Sequence, residues 1–207
     1  MTRYKYPRTP HLPFSEGATD DDKILTSTAH LEGKMVVVTE KMDGENTTIY
    51  CDHCHARSID SKHKSYHSWL LSYIPTFQAQ IPKGWRICAE YLYATHSIKY
   101  ENLDTFLMVF SIWNDKNEAL SWEKTKEIAQ ELGLQTVPVI YEGIYDEQKI
   151  KSIASEVVER GGEGIVVRIC DSFHYDSFST SVAKFVRHGH IQTNAEWNGT
   201  EKNKLKK

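Results

Sequence analysis

Met35-Val36-Val37-Val38 is an unbroken apolar, mostly β-branched run, and it stops at Thr39-Glu40-Lys41-Met42-Asp43-Gly44. Such a run between polar flanks reads as a buried strand. The chain must therefore build a core around this strand and deliver a lysine at its end. Lysine becomes a nucleophile when its ammonium loses a proton, which needs burial or neighbouring positive charge. Gly44 permits close approach of the backbone to a bulky ligand, and Asp43 offers oxygen to a metal or to its waters. The same tetrad also suits a solvated turn after a strand, so it needs support from the rest of the chain.

The remaining patterning is that of a mixed fold. Thr47–Cys51 and His55–Ser58 read as a hairpin turning at Asp52-His53. Trp69, Leu70, Tyr73, Ile74 and Phe77 have helical spacing, with Pro75 placed to kink or end the helix. Strands are expected over Trp85–Leu92, Phe106–Trp113, Val137–Tyr141, Gly164–Ile169 and Ser181–Val186. Ser121 caps a helix that runs to Leu132 and ends at Gly133, and a second helix starts at Asp146, with Ile150, Ile153, Ala154 and Val157 on one face. The class is α+β, antiparallel sheets with helices outside. Pro7, Pro10 and Pro13 make residues 1–30 an extended N-terminal segment, a main domain covers 31–197, and 198–207 read as a flexible basic tail.

Composition narrows the function classes. Of 207 residues, 40% are hydrophobic and 26% charged, an ordinary globular balance. No apolar run approaches the roughly 20 residues that span a membrane, and Met1–Tyr6 lacks a signal-peptide core, so the expected location is cytoplasmic. Four scattered cysteines then read as free thiols. A net charge of −3 makes any nucleic-acid surface local, and the candidate patches are Arg3/Lys5/Arg8, Lys62/His63/Lys64 and the Lys202–Lys207 tail.

Beyond Lys41-Met42-Asp43-Gly44 come Cys88-Ala89-Glu90, Phe106–Trp113, Glu163–Arg168 and Val182-Ala183-Lys184-Phe185. In this order and at these spacings they resemble the successive motifs of covalent nucleotidyltransferases, the polynucleotide ligases and mRNA-capping enzymes. Thr39–Asn46 most resembles the ATP-dependent RNA ligases. The likeness covers roughly Val36 to Arg187 and is far more specific than any one motif.

The resemblance implies an adenylation domain of antiparallel sheets flanked by helices, an ATP-grasp-like ligase fold. Lys41 would attack the α-phosphorus of ATP and carry AMP, with Lys184 stabilising charge on the phosphoryl oxygens. Glu40 would accept from the adenine amine, which favours ATP over GTP. Glu90 would bind the ribose hydroxyls, Arg57 the sugar or a substrate phosphate, and Phe110 would stack on adenine; an aromatic strand face is equally a plain core. Gly44 would lie against the nucleotide. Asp43 and Glu163 would hold Mg²⁺ or Mn²⁺, largely through water. The substrate would be RNA with 5′-phosphate and 3′-hydroxyl ends. Many relatives carry a second lysine two positions after the first; here it is Val186. Only 23 residues follow Lys184, so no OB domain is expected; either Arg3 to Asp22 and the short tail substitute for it, or a partner protein supplies the missing grip.

Three rivals stay open. One is a DNA ligase, and another is an idle nucleotide- or nucleic-acid-binding module of the same fold. The third is local: Cys51-Asp52-His53-Cys54-His55, with His63 and His67 nearby, has zinc-knuckle spacing but lacks a second ligand pair.

Overall fold

The computed structural model of the protein describes residues 2–189 and 201–207. In chain order the strands and helices are β1 (Met35–Glu40), β2 (Glu45–Ile49), β3 (Cys54–Ala56), α1 (Ser68–Tyr73), β4 (Arg86–Tyr91), β5 (Leu107–Trp113), β6 (Glu118–Ala119), α2 (Trp122–Glu131), β7 (Gln135–Thr136), β8 (Val139–Ile144), α3 (Glu147–Glu159), β9 (Gly164–Ile169), β10 (Phe173–His174) and β11 (Val182–Val186). The sequence expects one main domain over 31–197. The chain instead divides into two compact units, and the division falls between Met42 and Asp43, inside the lysine tetrad.

One unit contains residues 7–42 and 137–189. Its sheet runs β11-β9-β1-β8, with every neighbour antiparallel. β1 lies between two strands, and Val36, Val37 and Val38 are all fully buried. Both faces of β1 are covered, which is why its sequence is continuously apolar and does not alternate. Burying each valine stabilises the unit by about 1.5–3 kcal/mol. Helix α3 packs on β9 through the expected stripe of Ile150, Ile153, Ala154 and Val157, and Asp146 caps it by accepting from the Lys149 N–H. The N-terminal segment runs beside β11 around Pro10 and turns after Leu12, where Ser15 N–H donates to Leu12 C=O. Pro10 C=O accepts from Lys184 N–H, and Leu12 N–H donates to Lys184 C=O, so the segment lies along the outer edge of β11.

The other unit contains residues 2–6, 43–136 and 201–207. Its central strands are β3-β2-β4-β5, antiparallel throughout, and β7 adds in parallel to β5. The β2–β3 hairpin turns where expected, with Tyr50 N–H donating to His53 C=O. Pro75 ends α1 as expected: the chain passes into a 3₁₀ turn at Ile74–Thr76. Helix α2 has Ser121 as its cap, accepting from Lys124 N–H.

Two expectations need correction here. By alternation the expected strand Phe106–Trp113 would carry Phe106, Met108, Phe110 and Ile112 on one face. In the structure Cys88 pairs with Ser111 and Ala89 with Val109, so Phe110 is the extra residue of a bulge and the alternation breaks there. The flexible tail is also revised, for residues 201–207. Asn203 is 3% exposed, and its amide donates to Leu92 and Ala94 C=O while Thr95 Oγ1 and Tyr100 N–H donate to its Oδ1. One buried amide thus satisfies four backbone and side-chain groups beyond β4, a contact that no charge count reveals. Residues 198–200 lie outside the described residues.

Candidate active site

The end of β1 places Lys41. Its N–H donates to Gly164 C=O at 2.9 Å, which ties the lysine beside the start of β9. Gly164 has φ +155, and a Cβ there would stand 2.0 Å from Phe185 O, so only glycine lets β9 begin this close to β11. The residue before it, Glu163, is 1% exposed and accepts from Lys41 Nζ at 2.5 Å; the Lys41 side chain is 26% exposed. Two motif residues separated by 122 positions therefore meet as an ion pair. A carboxylate buried this deeply needs such a partner.

Glu40 turns to Arg160, whose Nη2 lies 2.6 Å from Glu40 Oε2. A carboxylate has about four lone-pair sites, so the other oxygen retains accepting capacity. Lys184, in β11, has its Nζ 4.0 Å from Asp22 Oδ1, with both side chains 12% exposed. Val186 occupies the position where the resemblance expects a second lysine. It is 1% exposed, and its N–H donates to Ser15 Oγ while its C=O accepts from Gly17 N–H. The N-terminal segment covers that position.

His11, from the same segment, is fully buried. Its Nδ1 lies 2.7 Å from Ser15 Oγ and its Nε2 lies 3.5 Å from Asp22 Oδ2. Burial first, then the Lys184 charge, pushes the imidazole down to about 4, so it is neutral at physiological pH. Burial works to raise the Asp22 carboxyl, but the Thr19 N–H and hydroxyl and the Lys184 charge outweigh it and hold the group below its usual range. The motif reading missed His11, Ser15 and Asp22. Proline spacing marked the segment as extended, but its pairing partner lies more than 170 residues away.

The second unit holds the other motif residues. Asp43 is 6% exposed, and its Oδ2 accepts from Ser97 N–H, Ser97 Oγ and Ile98 N–H, each at 2.7 Å. A buried carboxylate with three donors on one oxygen anchors the 97–98 loop, a contact the sequence reading of Asp43 as a cofactor and metal residue did not include. At Gly44 a Cβ would meet Tyr91 O at 2.5 Å, so the missing side chain lets the chain lie against the β4 backbone. The Gly44 N–H donates to Glu90 Oε1 at 3.1 Å, which fixes Glu90 on β4. The next residue, Glu45, accepts from His67 Nε2 at 2.6 Å and from Tyr66 Oη at 2.9 Å. Phe110, re-aimed by the bulge, is half-buried with Tyr6 edge-on at 5.1 Å between ring centroids. Arg57 is exposed just past β3.

His53, Cys54 and His63 line a cavity of about 310 Å³. Among the described residues no three His, Cys, Asp or Glu side chains converge to hold a metal, and all four cysteines are free thiols. The zinc-knuckle reading therefore gains no ligand set. No helix among the described residues is long and apolar enough to cross a membrane.

These features define a mixed α/β protein with antiparallel sheets of the kind found in ligase nucleotidyltransferases. An archaeal ATP-dependent RNA ligase superposes with a TM-score of 0.62 at 17% identity, over 87% of this chain and 48% of that one. A Naegleria gruberi RNA ligase variant with ATP and Mn gives 0.59 at 16%, over 89% and 62%. A candidate ATP-dependent DNA ligase from Aquifex aeolicus gives 0.62 at 23%, over 89% and 50%. At these identities the likeness establishes the fold. The chain spans about half the length of the archaeal ligase. No curated protein matches the sequence. The RNA ligase family matches over residues 34–186, and the chain belongs to that family.

Proposed function

We propose that this chain carries the adenylation chemistry of an ATP-dependent RNA ligase, with Lys41 as the nucleophile. The observation that carries the reading is the Lys41–Glu163 pair: a lysine one-quarter exposed, held at 2.5 Å by a buried carboxylate. Lys41 Nζ, once deprotonated, attacks the α-phosphorus of ATP. An N–P bond forms, the bond to the bridging oxygen breaks, and pyrophosphate leaves. While paired, Glu163 favours the ammonium and orients it, and Lys41 must give up a proton to solvent before its amine reacts. Lys184 supplies positive charge to the phosphoryl oxygens. AMP then passes to the 5′-phosphate of an RNA, and a 3′-hydroxyl attacks that phosphate and expels AMP.

Glu40 keeps one oxygen on Arg160 and offers the other to the adenine amine, which favours ATP over GTP. Glu90 serves the ribose, Phe110 the base, and Arg57 the sugar or the substrate phosphate. Carboxylate oxygens suit a hard cation that keeps its waters and leans on phosphate oxygens. Glu163 would hold such an ion, which when bound would neutralise phosphate charge. The Naegleria gruberi relative contains ATP and Mn, which supports this use.

The test has two parts. Labelled AMP should transfer from ATP to the protein and resist denaturation. A panel of nicked duplexes with RNA or DNA at the 3′ end should then be sealed preferentially at RNA ends. Equal sealing of DNA ends favours the DNA ligase reading, and no protein label favours an idle binding module.

A further inference from the structure

We propose that Asp22 and His11, from the N-terminal segment, are positioning residues for Lys184, and that the segment thereby completes the phosphate-handling part of the site where Val186 replaces a second lysine. This rests on the proposed role of Lys184 in adenylation.

The geometry is specific. The segment is bonded to both flanks of Lys184: Pro10 C=O accepts from its N–H at 2.9 Å and Leu12 N–H donates to its C=O at 2.8 Å. His11 sits between these two bonds. On its other side, His11 N–H donates to Lys23 C=O at 2.7 Å and Leu25 N–H donates to His11 C=O at 2.8 Å. That second set of bonds brings Asp22 round to the Lys184 ammonium, where Oδ1 lies 4.0 Å from Nζ. Thr19 N–H and Oγ1 hold Asp22 Oδ2 at 3.1 and 2.9 Å, so the carboxylate cannot swing away freely.

Proton bookkeeping assigns the state of His11. Val186 N–H donates to Ser15 Oγ at 3.0 Å, so the Ser15 hydroxyl proton is available to His11 Nδ1 at 2.7 Å. Neutral His11 then carries its proton on Nε2, facing Asp22 Oδ2 at 3.5 Å. Nε2 is buried with no hydrogen-bond partner at that distance. It is a donor held in reserve for Asp22, and it adds no positive charge beside Lys184. Asp22 thus holds the ammonium in place, and His11 backs the carboxylate. A displaced cation at a reacting phosphate loses rate far more than binding, since misplacement of about 1 Å costs as much as 100-fold.

The experiment measures single-turnover Lys–AMP formation against ATP concentration for the wild-type chain, Asp22→Asn, Asp22→Glu, His11→Gln, His11→Gln/Asp22→Asn and Lys184→Ala, with melting curves for each. Asp22→Asn should slow the saturating rate by about 10- to 100-fold while half-saturating ATP moves less than about threefold. Asp22→Glu, which keeps the charge, should recover most of the rate. The double variant should be no slower than Asp22→Asn alone, because the two residues act as one unit. A wild-type rate in Asp22→Asn, alongside a slow Lys184→Ala, overturns the inference and leaves the proposed function standing. So does a slow Asp22→Asn that Asp22→Glu does not rescue, since the loss then reflects the fold and not the charge. A wild-type chain that forms no Lys–AMP removes the proposed function itself, and this inference with it.

Discussion

Replacing Lys41 with methionine should destabilise the protein as well as silence it. Methionine keeps most of the aliphatic stem but removes the charge that Glu163 accepts from at 2.5 Å. Glu163 is 1% exposed, so water cannot take the place of the ammonium. Breaking a buried pair by removing one partner costs about 3–5 kcal/mol. The Lys41 side chain is 26% exposed, so solvent already shares its charge, and the cost falls at the lower end, about 3 kcal/mol. For a chain of this size that is a fall in melting temperature of about 6–12 °C. Adding Glu163→Gln should return most of the loss, because the double variant buries no unpaired charge. The assay is a thermal melt of the wild type, both single variants and the double at neutral pH. A Lys41→Met protein melting within about 1 °C of wild type, or a double variant no better than Lys41→Met, would refute the claim that this pair is a buried charge contact.

Gly44→Ala should cost about 1–3 kcal/mol and weaken adenylation in parallel, because its Cβ would meet the Tyr91 carbonyl at 2.5 Å; a wild-type melt would show that β2 and β4 can separate freely. Stability should rise with pH between about 4 and 6.5 through His11. Its folded value is pushed down to about 4 from 6.5, so in this window the unfolded chain binds a proton that the folded chain refuses. The contribution is present above pH 6.5, is lost as pH falls to 4, and amounts to about 3 kcal/mol at roughly 1.4 kcal/mol per unit. His11→Gln should flatten this part of the stability–pH curve relative to wild type, and an unchanged curve would contradict the assignment.

The parts of the fold that sequence revealed are those set by local chemistry. The Val36–Val38 run, the Ser121 and Asp146 caps and the stop at Pro75 each act within a few residues, and each appears where expected. Motif order placed Lys41 and Glu163 in the same reading, and their contact is present. What stayed hidden depends on distant pairing. The β5 bulge at Phe110 is a property of how two strands register. Asn203 is an ordinary tail residue until its amide finds the carbonyls of Leu92 and Ala94. Gly44 and Asp43 also make contacts that their residue types do not announce, with the β4 backbone and the 97–98 loop. His11 and Asp22 carry no motif at all, and only the segment's path along β11 brings them to Lys184.

The central claim is that Lys41 carries AMP, and mass spectrometry of the protein after incubation with ATP and Mg²⁺ tests it most directly. The account predicts one AMP adduct per chain, located by peptide mapping on Lys41, released by pyrophosphate and absent from Lys41→Arg, whose guanidinium does not deprotonate. An adduct on another residue, or one that persists in a folded Lys41→Arg protein, would contradict it.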